Sequence, residues 1–137
     1  MIDFKRLKQR AVIAILMAIT LPGLSSPGHA AQDELLGEWI GESICQVKGS
    51  PCHDEKAIYR ISKAKEVGKV IIDAGKIVDG KPVSMGVLEF KYDKETGILL
   101  CEYERGVWRL TVKGNRMEGT LTLPDKTIYR RVSLKKS

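Results

Sequence analysis

Histidine, aromatic side chains and long apolar runs are all scarce in this chain of 137 residues. It holds two histidines, two tryptophans, four tyrosines and two phenylalanines. A single histidine, His53, stands outside the first thirty residues, too few for a histidine-built metal site unless ligands converge from elsewhere. No Gly-x-Ser-x-Gly elbow, phosphate loop or dinucleotide fingerprint is present, so neither an enzyme nor a cofactor is expected. Basic residues exceed acidic ones by only 23 to 17, with no basic-aromatic stacking motif, which argues against nucleic acid as a partner. The only sustained apolar run, Ala11 to Leu21, falls short of the roughly 18 to 20 residues that cross a bilayer as a helix. No integral membrane anchor is expected.

That run has its own meaning. Lys5, Arg6, Lys8 and Arg10 precede it, and Pro22, Gly23, Ser25, Ser26 and Pro27 break it, which is the order of a secretory signal peptide. Gly28-His29-Ala30 offers small residues where a signal peptidase reads, so residues 1–30 are expected to be removed, with cleavage after Ala31 the second choice. The first cysteine is Cys45, too late for a lipoprotein exit. The mature chain, 31–137, is then expected to be periplasmic or secreted. Its net charge drops from +6 to +3, because the leader carries four of the basic residues and one acidic one.

The mature chain has no repeat, linker or charge block and reads as one domain. Its apolar residues recur in short alternating runs instead of a 3.6-residue period, which predicts strands. Eight are expected: Leu36 to Val47, Ala57 to Ser62, Lys69 to Ala74, Val83 to Tyr92, Ile98 to Glu104, Val107 to Lys113, Arg116 to Leu123 and Thr127 to Leu134. Between them stand short turn segments: Asp79-Gly80-Lys81-Pro82, Asp93 to Gly97, Arg105-Gly106, Gly114-Asn115 and Pro124-Asp125-Lys126. These connections suit antiparallel neighbours. The segment from Lys48 to Lys56 is the longest irregular one, with room for a short helical turn capped by Ser50 or Asp54. Alternation puts Leu88, Phe90 and Tyr92, Trp108, Leu110 and Val112, Met117 and Leu121, and Ile128, Val132 and Leu134 on the dry face. Tyr129, Arg131 and Ser133 fall on the wet one. An all-β, eight-stranded antiparallel up-and-down barrel buries such a face and removes exposed edges.

Three cysteines in an exported chain predict one disulfide and one leftover thiol. Cys45 and Cys52 enclose a Gly-Ser-Pro turn that can bring the sulfurs together, leaving Cys101 buried in its strand; a Cys45 to Cys101 bridge is the alternative. Cys52-His53-Asp54-Glu55 is the densest polar cluster, and Lys48, His53, Asp54 and Glu55 are candidates for partner contacts on a loop at a barrel mouth, with their polar groups in water.

The opening strand reads Leu36-Gly37-Glu38-Trp39-Ile40-Gly41. This Gly-x-Trp resembles the first strand of the lipocalin-like, or calycin, superfamily. The resemblance implies a meander barrel closed between first and last strands, with Gly37 and Trp39 structural. It also implies a basic residue of the last strand packed over Trp39, with Arg130 the candidate and Arg131 the second. The run from Gly37 to Cys45 with Pro51 to Glu55 is similar to small secreted bacterial barrel proteins, and the size, leader and disulfide are similar to periplasmic metalloprotease inhibitors. Two roles follow as expectations. One is binding a small apolar or amphipathic ligand in a lumen lined by Trp39, Tyr59, Phe90, Trp108 and Leu110. The other is contact with an envelope protein, inhibitor-like, through the disulfide loop or an N-terminal arm, residues 31–35.

Overall fold

The computed structural model describes Gly23 and residues 32–137. Apart from Gly23, the expected leader and its cleavage positions lie outside the described residues. Eight strands follow one another: β1 (Gly37–Cys45), β2 (Glu55–Lys63), β3 (Lys69–Val78), β4 (Lys81–Asp93), β5 (Ile98–Tyr103), β6 (Gly106–Lys113), β7 (Arg116–Thr122) and β8 (Ile128–Lys136). Each pairs antiparallel with the next, and β8 returns to β1, so the chain is a closed up-and-down barrel.

Alternation places the core as the sequence implies. Trp39, Val70, Ile72, Leu99, Leu110 and Met117 point inward and are almost wholly inaccessible, and each such side chain contributes on the order of 1.5–3 kcal/mol by leaving water. Closing the barrel demands one close approach. A Cβ on Gly41 would run into the Ser133 carbonyl of β8, so β1 and β8 meet there only because the side chain is missing.

One end is sealed. Residues 32–35 form a single helical turn whose Leu35 is buried under the barrel, and the Trp39 indole N–H donates to the Leu35 carbonyl at 2.9 Å. Lys136 completes the seal. Its ammonium lies 5.7 Å from the centre of the Trp39 ring and donates to the Glu34 carbonyl. Arg130 was expected over Trp39 and is not there. The β1–β8 register pairs Trp39 with Lys136 and Cys45 with Arg130, so antiparallel pairing sends Arg130 to the opposite end of the barrel. Arg131, the second choice, pairs with Ile44 on the outer face.

The other end differs from expectation in three further places. The β1–β2 connection contains no helical turn: Ser50 Oγ accepts from Cys52 N within a local turn, and Asp54 Oδ1 accepts from Cys45 N at 2.8 Å, ending β1 instead of capping a helix. A register shift between Leu121 and Thr122 inserts Tyr129 into β8 as an unpaired residue, which turns its ring from the wet face toward the barrel mouth. The turn before β4 is tighter than the four residues expected. Asp79 and Gly80, with φ of 52° and 78°, form a two-residue hairpin turn, so Lys81 and Pro82 belong to the strand.

That lengthened hairpin opens the wall. β4 pairs with β3 from Lys81 to Lys91, apart from the bulged Met85, but with β5 only through Lys91↔Leu100, Tyr92↔Leu99 and Asp93↔Ile98. Residues 81–90 therefore have β3 on one side and no strand on the other. Pro82, which cannot donate a ladder hydrogen bond, suits such an edge, and a register shift at Ala74 and Gly75, opposite Met85, bends it away from β5.

Candidate functional site

Above the packed half, the lumen stays open as a cup of about 770 Å³. Tyr59 of β2 and Trp108 of β6 form its floor, packed edge to face with ring centres 6.5 Å apart and planes at 88°. Ala57, Ala74, Leu88 and Leu121 add apolar wall, and Tyr103, Tyr129, Glu104 and Arg105 stand toward the rim.

One side of the cup is polar. Glu55, the first residue of β2, lies between two cations, with Lys76 Nζ 3.3 Å from Oε1 and Arg130 Nη1 3.7 Å from Oε2. Arg130 Nη1 also donates to Ser43 Oγ at 3.1 Å and to the His53 carbonyl at 3.0 Å. Both partners of the Glu55–Arg130 pair are about seven-eighths buried, with side-chain exposures of 15% and 12%. A charge so placed must be paired, and each group here has at least two partners.

Burial pushes the Tyr59 hydroxyl well above the ordinary tyrosine range; Arg130 pulls against that shift and Glu55 adds to it. Tyr59 therefore stays a neutral O–H donor. Burial likewise raises Tyr103, against the Trp108 indole and Arg105.

No family model matches the sequence, and neither does any curated protein. The geometry alone thus has to say what the cup can hold.

The five aromatic and apolar residues expected to line the lumen divide between its two halves. Tyr59 and Trp108 face the cup, whereas Trp39, Phe90 and Leu110 belong to the packed core beneath it. Strand alternation identifies the inward face and is silent on depth, so all five looked equivalent.

The loop residues divide too. Lys48, His53 and Asp54 are exposed as expected, whereas Glu55 turns inward to line the cup, because β2 begins there and its parity matches Ala57 and Tyr59. The expectation of Glu55 in open water is corrected by its two cationic partners. Cys45 and Cys52 are joined, with Cα atoms 5.8 Å apart, and Cys101 is a buried free thiol whose pKa burial raises. The disulfide loop is tied to the mouth through His53 and through the Ser50 to Tyr129 hydroxyl contact of 3.3 Å. Gly37 starts β1 with φ of 115°, a conformation open mainly to glycine.

Lys76, Tyr129 and the cup-facing role of Arg130 escaped sequence reasoning. Parity could have found Lys76, which continues the inward face of Val70, Ile72 and Ala74. Nothing local announces the bulge that brings in Tyr129. Among the described residues no three of His, Cys, Asp and Glu gather as a metal site, and no helix is long and apolar enough to cross a membrane.

Proposed function

We propose that this protein is an exported binding module that holds a small amphipathic ligand in the open half of its barrel. The observation that carries the reading is the cup itself. Its volume of about 770 Å³ falls within the roughly 300–1,000 Å³ usual for small-molecule sites, and an apolar floor with a few convergent polar groups is the usual lining. A lumen meant only for stability would gain by filling that space with side chains.

The Cys45–Cys52 bridge supports a life in an oxidising compartment, in keeping with the leader read from residues 1–30. The closed eight-stranded antiparallel barrel supports the likeness to the lipocalin-like superfamily at the level of fold. The inhibitor-like alternative draws less support. Residues 32–35 are docked beneath the barrel by Leu35 and by the Lys63 to Asp33 contact of 3.5 Å, instead of projecting as an arm.

The test is to titrate the purified mature protein with a solvatochromic naphthalene dye, reading energy transfer from tryptophan, and to repeat it with Ala74→Trp. Ala74 lines the cup, so a large side chain there should fill empty space and cut dye affinity at least about tenfold while the protein stays folded. Unchanged affinity in Ala74→Trp would place the dye elsewhere and sink the reading. N-terminal sequencing of exported material should begin at Ala31.

A further inference from the structure

The cup is open on two sides. Besides its mouth it has a lateral slot where β4 and β5 part, bordered by Gly86, Val87 and Leu88 on one edge and by Tyr103 and Glu104 on the other, all of which line the cup. Beside the slot the β3–β4 hairpin exposes Val83, Met85 and Val87, the last two 56% and 59% accessible. Met85 and Val87 also line the cup, so the apolar surface of the hairpin continues into the cavity and suits one continuous apolar object.

The polar side of the cup says what sits at the other end of that object. Every hydrogen bond and ion pair of Arg130 with the described residues runs through Nη1, while its guanidinium carbon lies 5.9 Å from the centre of the Tyr129 ring; Nε and Nη2 have no hydrogen-bond partner among the described residues. The Tyr59 hydroxyl also has no hydrogen-bond partner among the described residues. Among the described residues no sealed-off side-chain N or O lacks a partner, so these donors are open to solvent, and both residues line the cup. They are joined by a local excess of positive charge: Arg130 and Lys76 face the single carboxylate Glu55, while Glu104 and Arg105 offset each other at the rim. Unused N–H and O–H donors beside two cations that share one carboxylate fit an anionic acceptor.

We infer that the ligand is a single-chain amphiphile whose anionic head lies against Arg130 and Tyr59 and whose alkyl tail leaves the barrel sideways between β4 and β5, along Met85 and Val87. This rests on the reading of the cup as a ligand site and adds the ligand class and its exit. The slot also explains the exposure of the hairpin. Met85 and Val87 stand in water in the empty protein and gain cover when the tail lies on them.

The experiment uses the mature protein and four probes, octanoate, dodecanoate, dodecyl phosphate and dodecanol, with Trp108 fluorescence as the readout. Dodecanoate or dodecyl phosphate, whichever anion the cup prefers, should bind at least about tenfold tighter than dodecanol. Val87→Asp, a change at an exposed position that leaves the packing alone, should weaken the dodecyl anions about tenfold or more and leave octanoate within about twofold. Dodecanol equal to the anions would overturn the head assignment, and Val87→Asp acting alike on short and long chains, or on neither, would overturn the side exit; in both cases the cup stands as a binding site. No response to any probe, together with no dye binding, would overturn both the inference and the reading beneath it.

Discussion

Arg130 and Lys136 exchange the roles that pattern alone would assign them. Both lie on the inward-facing parity of β8, and only the register with β1 decides which one meets Trp39. Facing is written locally, in every second residue, whereas register depends on the partner strand some ninety positions away. Lys136→Ala should therefore destabilise the protein by about 1 kcal/mol, the scale of a cation over an indole, and shift Trp39 emission. Arg130→Ala should leave Trp39 emission unchanged. Thermal melts with fluorescence check both. Tyr59 gives a second prediction at this scale. Its folded pKa lies above its unfolded value, so below pH about 10 its neutral hydroxyl carries no penalty. Above that, the unfolded chain releases a proton that the folded one retains, and stability falls as pH rises. Tyr59→Phe should flatten the decline in Tm between pH about 10 and 11.

Between elements, the disulfide loop and the β4–β5 slot show how far a linear reading reaches. The Cys45–Cys52 pairing was legible because a Gly-Ser-Pro turn inside a short segment limits where the sulfurs can go. Mass mapping of non-reduced peptides should find that bridge and a free Cys101. Replacing both bridged cysteines by serine should cost about 2.5 kcal/mol on the loop-closure estimate. It should also loosen Arg130, since His53, one of its anchors, directly follows the bridged Cys52. The slot was invisible. β4 and β5 both look like ordinary amphipathic strands, and only the bulge opposite Met85 and the shortness of β5 make them part. Amide exchange should report it: alternate amides between Val83 and Phe90, those turned from β3, should exchange far faster than amides of β6 or β7, which are paired on both sides.

At the scale of the whole molecule, the barrel was foreseeable because alternation, turn chemistry and strand count all pointed to one closed sheet. What alternation cannot give is how the interior is divided. The same inward parity carries Leu110, wholly buried, and Tyr59, which faces the cup. The difference arises from size along the axis: Trp39, Phe90 and Leu35 fill one half, whereas Ala57, Ala74 and Gly86 leave the other half empty. On the proposed reading, stability and binding thus occupy separate ends. Substitutions such as Leu110→Ala should cost about 2–5 kcal/mol, while filling the cup with Ala74→Trp should change ligand affinity far more than melting temperature.

The pairing of Trp39 with Lys136 also sets an order in time. β1 has both of its edges satisfied only once β8 exists, and every strand from β2 to β7 must be made in between. A growing chain can build hairpins as it appears, yet it holds no shut barrel, no covered Trp39 and no finished cup until about residue 136 has been added. A chain stopped after β7 would leave Trp39 without its lid and β1 and β7 with raw edges, a species prone to pair with its neighbours. If the chain is exported as proposed, such late closure keeps the polypeptide threadable until the last moment.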